Sequence, residues 1–219
     1  MDAFVYLDSL KNKKSLLQQD IGTLTVLSKD KDPEIRAYVA ETLIYAENDE
    51  RVLSILTELC KDSNVLVRVN ACDTIGSFPT KEAEQCLLQV IENSKESHLV
   101  REYALMSYAD ISAKMGFKSK SVLILKKQLL TARSIAVKAA CLYGLCLLGD
   151  CIFLKDLCAL IDSSNYRDRS FVIHALIDLY STVQNFEHFK ILECLKERLR
   201  HERTESVRLL LLDSIHQLD

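Results

Sequence analysis

The chain has 219 residues, 48% of them apolar and 27% charged, with only 5 Gly and 2 Pro, which leaves little material for hairpins and much for helices. Its net charge of −3 argues against a general nucleic-acid binder, because a phosphate backbone asks for a clustered basic surface. No apolar run approaches the roughly 20 residues that span a bilayer. The start Met1-Asp2-Ala3-Phe4 also lacks the basic and apolar regions of a secretory signal, so a soluble, cytoplasmic protein is expected.

The first predicted element is a helix over residues 3–11, whose Phe4, Val5, Leu7 and Leu10 would cover the repeat that follows. From there one pattern recurs six times: a small polar residue, then a basic one four positions on, at Asp32/Arg36, Asn64/Arg68, Ser97/Arg101, Ser134/Lys138, Asn165/Arg169 and Thr204/Arg208. Successive basic positions are 32, 33, 37, 31 and 39 residues apart, a period that marks a stacked repeat array. An aliphatic residue precedes the base everywhere except at Asp168, and apolar residues follow at three and seven positions after it, along one helical face. These segments predict six amphipathic helices, called B, over 33–47, 65–77, 98–115, 135–148, 166–183 and 205–218.

The residue four before each base can accept a hydrogen bond from a first-turn amide and so caps its helix. Gly76, Gly116 and Gly149 stand where a left-handed residue commonly ends a helix, and Asn48 and Asn185 occupy similar places. Between these stops and the next caps, helices called A are predicted over 15–29, 50–61, 80–93, 118–131, 150–162 and 186–201. The expected fold is all-α: one domain over 1–219, a right-handed α-solenoid of about six helix pairs with an N-terminal capping helix.

The stretch Asp32-Pro33-Glu34-Ile35-Arg36-Ala37-Tyr38-Val39-Ala40-Glu41-Thr42-Leu43 resembles the helix B signature of HEAT repeats, especially the short bacterial type related to phycobilisome lyases. The resemblance covers nearly the whole chain and is weakest around Tyr166-Arg167-Asp168-Arg169. It implies helix B on the inner curve and a recurrent base that joins ladders between repeats. The family includes scaffolds, regulatory subunits, chromophore lyases and, more distantly, DNA glycosylases, so it speaks to architecture far more than to activity.

Catalytic and metal motifs are absent from the sequence. The 8 Cys lie mostly at apolar helical positions with no C-x-x-C pair, and the 5 His are scattered, so buried free thiols and no bound metal are expected. There is no nucleophile elbow and no Gly-rich phosphate loop, which points to a non-enzymatic protein without a cofactor.

The chemistry worth following lies beside the core stripe of helix B. Tyr38, Asn70, Tyr103 and Phe171 follow the base by two positions. Glu41, Asp73, Tyr143 and His174 follow it by five, and Tyr45, Asp110 and Asp178 by nine. On an inner curve they would form a groove of aromatics and carboxylates suited to a protein or basic peptide. The rival readings are a chromophore lyase or nucleic-acid repair enzyme on the same scaffold, and a structural subunit of a larger assembly. Leucines on several sides of the last helix, among them Leu209, Leu210 and Leu212, further suggest a homodimer through the C-terminal repeat.

Overall fold

The computed structural model describes residues 2–11, 13, 15–46, 50–182 and 185–218, with backbone alone at 185 and 186. Among them there is no strand. The chain divides into two compact units, residues 1–116 and 117–219. The first holds α1 (Ala3–Lys11), α2 (Gln18–Leu27), α3 (Pro33–Thr42), α4 (Glu50–Leu59), α5 (Val65–Ile75), α6 (Lys81–Glu92) and α7 (His98–Met115). The second holds α8 (Lys118–Thr131), α9 (Ile135–Leu147), α10 (Leu154–Ala159), α11 (Tyr166–Tyr180), α12 (Asn185–His201) and α13 (Glu205–Leu218).

Local chemistry explains where the helices begin. The Asp32 side chain accepts from the Glu34 amide at 2.9 Å, Asn64 from Leu66 at 2.8 Å, Ser97 from Val100 at 3.2 Å and Asn165 from Arg167 at 3.0 Å. Ser134 departs from this: it occupies the cap of α9 with extended backbone, but its hydroxyl makes no capping bond. Fully buried positions then follow the predicted stripe, Val39 and Leu43, Val67, Ala71 and Ile75, Val100, Ala104 and Tyr108, each with no exposed surface. In the second unit Cys141 and Leu145, Val172 and Leu176, and Val207 and Leu211 do the same. Burying such a side chain contributes about 1.5–3 kcal/mol, which makes the stripe the main force holding neighbouring helices together. It packs α3 on α5 and α5 on α7, and in the other unit α9 on α11 and α11 on α13.

Two expectations about helix ends and one about a whole helix need correction. Gly116 and Gly149 are left-handed, with φ of 75° and 101°, whereas Gly76 is right-handed, with φ of −61°. Gly76 is there for space: a Cβ on it would sit 2.7 Å from the Ser107 Cβ, so its lack of a side chain lets α5 approach α7. Asn185 opens α12 instead of closing the helix before it, and Asn48 lies outside the described residues. The helix predicted over 150–162 is a composite, with 3-10 turns at Cys151–Phe153 and Leu160–Asp162 on either side of the six-residue α10.

Two of the recurrent arginines in the first unit join successive loops. Arg36 donates from Nε and Nη2 to Asp62 at 2.7 and 2.8 Å, and Arg68 does the same to Glu96 at 3.0 and 2.8 Å. Each acid stands just before the next helix B and also accepts an amide there, from Asn64 at 2.8 Å and from Ser97 at 2.7 Å. The remaining guanidinium nitrogen returns to carbonyls of its own loop, Asp30 at 2.8 Å for Arg36 and Asp62 at 2.7 Å for Arg68. One planar side chain thereby fixes two successive loops, a task that needs the fork of arginine and not the point charge of lysine.

Candidate functional site

The first part of the predicted face, on α3, is occupied from within the chain. The Tyr38 hydroxyl donates to Asp8 of α1, and the Lys11 ammonium lies over the Tyr38 ring, 4.3 Å from its centroid, while bonding Glu41 at 3.0 Å. The hydrogen bond to Asp8 raises the Tyr38 pKa, and the bonds to Tyr38 and Glu41 raise that of Lys11. An aromatic ring and a carboxylate three residues apart on one helix thus form a seat for an ammonium group. Tyr45, in the 3-10 turn Leu43–Tyr45 that ends α3, is 38% exposed.

On α5 and α7 the predicted residues are half-buried or exposed. Asn70 is half-buried and donates to the Ala37 carbonyl at 3.0 Å, tying α5 to α3. Asp73 is exposed and Tyr103 half-buried. Burial raises the Tyr103 pKa, and the charges of Asp73 and Glu102 add to the effect. Asp110 stands two turns along α7 and is half-buried.

In the second unit the predicted positions separate. Tyr143 is a correction: only 4% exposed, it belongs to the core and not to an open face. Its helix, α9, buries every residue from Ala136 to Cys146 except Lys138. On α11, Phe171 is half-buried while His174 and Asp178 are exposed. Desolvation raises the Asp178 pKa, and the neighbouring His174 opposes that shift.

A second concavity was not predicted. The helix A partners α4 and α6 leave a groove of about 770 Å³ between them. Half-buried Leu53 and Phe78 line it, with Glu50, Glu58, Glu82 and Lys61 exposed along it. The signal for it was Leu53, an apolar residue beside the buried stripe of Val52, Ile55, Leu56 and Leu59. Among the described residues no group of three or more His, Cys, Asp and Glu is placed to hold a metal ion, and no helix is long and apolar enough to cross a membrane.

Residues 21–112 match the family described as HEAT repeats. No curated protein matches the chain by sequence. Among solved structures, a chain of the CpcE–CpcF complex of phycocyanin lyase from Nostoc sp. PCC7120 aligns over 99% of this chain and 87% of its own length, with a TM-score of 0.60 and 13% identity. The Escherichia coli protein YibA aligns over 98% of this chain and 74% of its own, with a TM-score of 0.55 and 20% identity. At such identities the likeness is one of fold.

Proposed function

We propose that this chain, a HEAT-like repeat protein with its family match at residues 21–112, is a non-enzymatic interaction module of the cytoplasm that binds a Lys- or Arg-bearing protein segment on the helix B face of its first unit. The observation that carries the reading is Lys11, which the chain itself seats on Tyr38 and Glu41. Asp73 and Tyr103 are residues of the same two kinds, a carboxylate that attracts a cation and a ring that can lie beneath one. Tyr45 and Asp110 would extend the contact.

The test is a fluorescence-anisotropy titration with a labelled Lys-rich peptide and its Gln-substituted analogue. The expected result is tighter binding of the Lys peptide, weakened by salt, and a loss of about tenfold or more in Asp73→Lys. Equal affinity for both peptides would reject the proposal.

A second reading, in which the chain is a subunit of an assembly, is favoured by Leu209 and Leu212 on α13, which are 54% and 43% exposed. The Nostoc structure is itself a complex of two proteins, which supports a protein partner of this kind. The same face and fold leave a lyase-like or repair-enzyme role as the remaining alternative, to be tested by absorbance with an added bilin and by duplex-DNA binding at low salt.

A further inference from the structure

Cysteine pairs recur in both units, and their surroundings differ. Cys60 and Cys72 have their sulfurs 3.8 Å apart, but both are buried, at 2% and 0% exposure. The hydrogen bond with Cys72 pushes the Cys60 thiol up, away from the thiolate form that reacts. Cys158 and Cys194 meet differently. Cys158 lies in the six-residue α10 between two 3-10 turns, and Cys194 in the middle of α12. Both are half-buried rather than sealed, and the Cys194 thiol donates to the Cys158 carbonyl oxygen at 3.8 Å.

The two sulfurs are not equivalent. The hydrogen bond from Cys194 lowers the Cys158 pKa against the effect of burial, and the positive charge of Lys190 adds to the lowering. Cys194 is pushed up by the same hydrogen bond and by burial. A half-buried thiol with a lowered pKa against a second with a raised one has the order of an attacking and a resolving cysteine.

We propose that Cys158 and Cys194 are a peroxide-responsive thiol pair that closes to a disulfide tying α10 to α12. The Cys158 thiolate attacks one oxygen of the peroxide; the O–O bond breaks, the sulfur becomes a sulfenic acid and the other oxygen leaves as water after taking a proton. The Cys194 sulfur then displaces the sulfenic hydroxyl, which departs as a second water with the Cys194 proton. Two thiols are oxidised and one peroxide is reduced to two waters. The short α10, with tight turns at both ends, is the element whose rotation would bring the sulfurs together.

The experiment treats the folded full chain with hydrogen peroxide, alkylates the remaining thiols and maps the peptides by mass spectrometry. The expected result is a Cys158–Cys194 cross-linked peptide, two hydrogens lighter than its separate halves, while Cys60 and Cys72 stay alkylated. In Cys194→Ser a sulfenic-acid probe such as dimedone should label Cys158, and in Cys158→Ser the fast oxidation should be lost, with circular dichroism reporting that both variants are folded. A cross-link that appears only in urea, oxidation of Cys60 and Cys72 before the pair, or dimedone on Cys194 in Cys158→Ser at the rate seen for Cys158 would each overturn the proposal.

Discussion

Arg169 donates to Glu202 from Nε at 2.8 Å and from Nη2 at 2.9 Å, and no part of the Glu202 side chain reaches solvent. Arg198 adds contacts from Nε at 3.0 Å and Nη2 at 2.9 Å, and the amides of Arg203 and Thr204 donate at 3.0 and 2.7 Å. Charges so enclosed stabilise a fold when their hydrogen bonds are complete, and removing one partner leaves the other stranded. The pair joins the start of α11 to the loop before α13, as Arg36–Asp62 and Arg68–Glu96 join loops in the first unit.

Acid should weaken this pairing. Burial alone would raise the Glu202 carboxyl, but the bonds from Arg169, Thr204 and Arg198 outweigh it and hold its pKa at about 2, below the usual 4.5. The unfolded chain therefore takes up this proton more readily than the folded one. The stabilisation is complete above about pH 4.5 and is lost as the pH falls towards about 2. Asp62, held down chiefly by Arg36, titrates with the same sign. Urea midpoints should fall across this window for the natural chain. They should fall less steeply in Glu202→Gln, which starts about 3 kcal/mol less stable; parallel pH profiles would contradict the role given to Glu202.

Capping should distinguish positions that look alike in sequence. Asn64→Ala removes bonds to the amides of Leu66 and Val67 and should cost about 1 kcal/mol. Ser134→Ala removes no capping bond and should change stability by less than about 0.5 kcal/mol. Thermal denaturation followed at 222 nm reads both.

Two glycines should respond to alanine with opposite signs. Gly76→Ala pushes a methyl against Ser107 and should cost about 1–3 kcal/mol, most of it recovered in the double variant with Ser107→Gly. At Gly22, inside α2, nothing lies within 4 Å of the added carbon, so Gly22→Ala should stabilise by about 0.5–1 kcal/mol. Chemical denaturation of the three variants decides.

If the exposed leucines of α13 serve a second copy of the chain, sedimentation equilibrium will show a dimer in the micromolar range. Leu212→Glu would convert it to monomer without loss of helicity. A monomer throughout would remove the homodimer from consideration.

The helix plan was legible because its signals are local. Ser97 and Gly116 bracket α7 at His98–Met115, the span that cap and left-handed glycine predict. The faces were less legible, since a periodic pattern identifies one apolar stripe but not what covers the flanks. Tyr38 and Glu41 read as open, yet α1 supplies Asp8 and Lys11 to them from some 30 residues away. Tyr143 could have been placed correctly, for Ile135-Ala136-Val137-Lys138-Ala139-Ala140-Cys141-Leu142-Tyr143 is apolar nearly all round, as a helix enclosed on several sides must be. The composite form of residues 151–162 had no such sign: no proline or glycine interrupts the stretch.

Asp62, Asn64 and Arg68 lie within a few residues of one another, so a single short stretch holds the acceptor for the preceding arginine, the start of its own helix and the donor for the acid that follows. Such a unit can be copied in tandem and still find a mate on each side, which gives a chain of this kind a route to grow by duplication without stranding a charge. The stretch Thr131-Ala132-Arg133-Ser134 has no acid before its helix, so a copy of that repeat would lack the carboxylate that Asp62 supplies to an incoming arginine. Lengthening should therefore be tolerated best where the acid is present, and the history of the array is expected to be written in which repeats retain it.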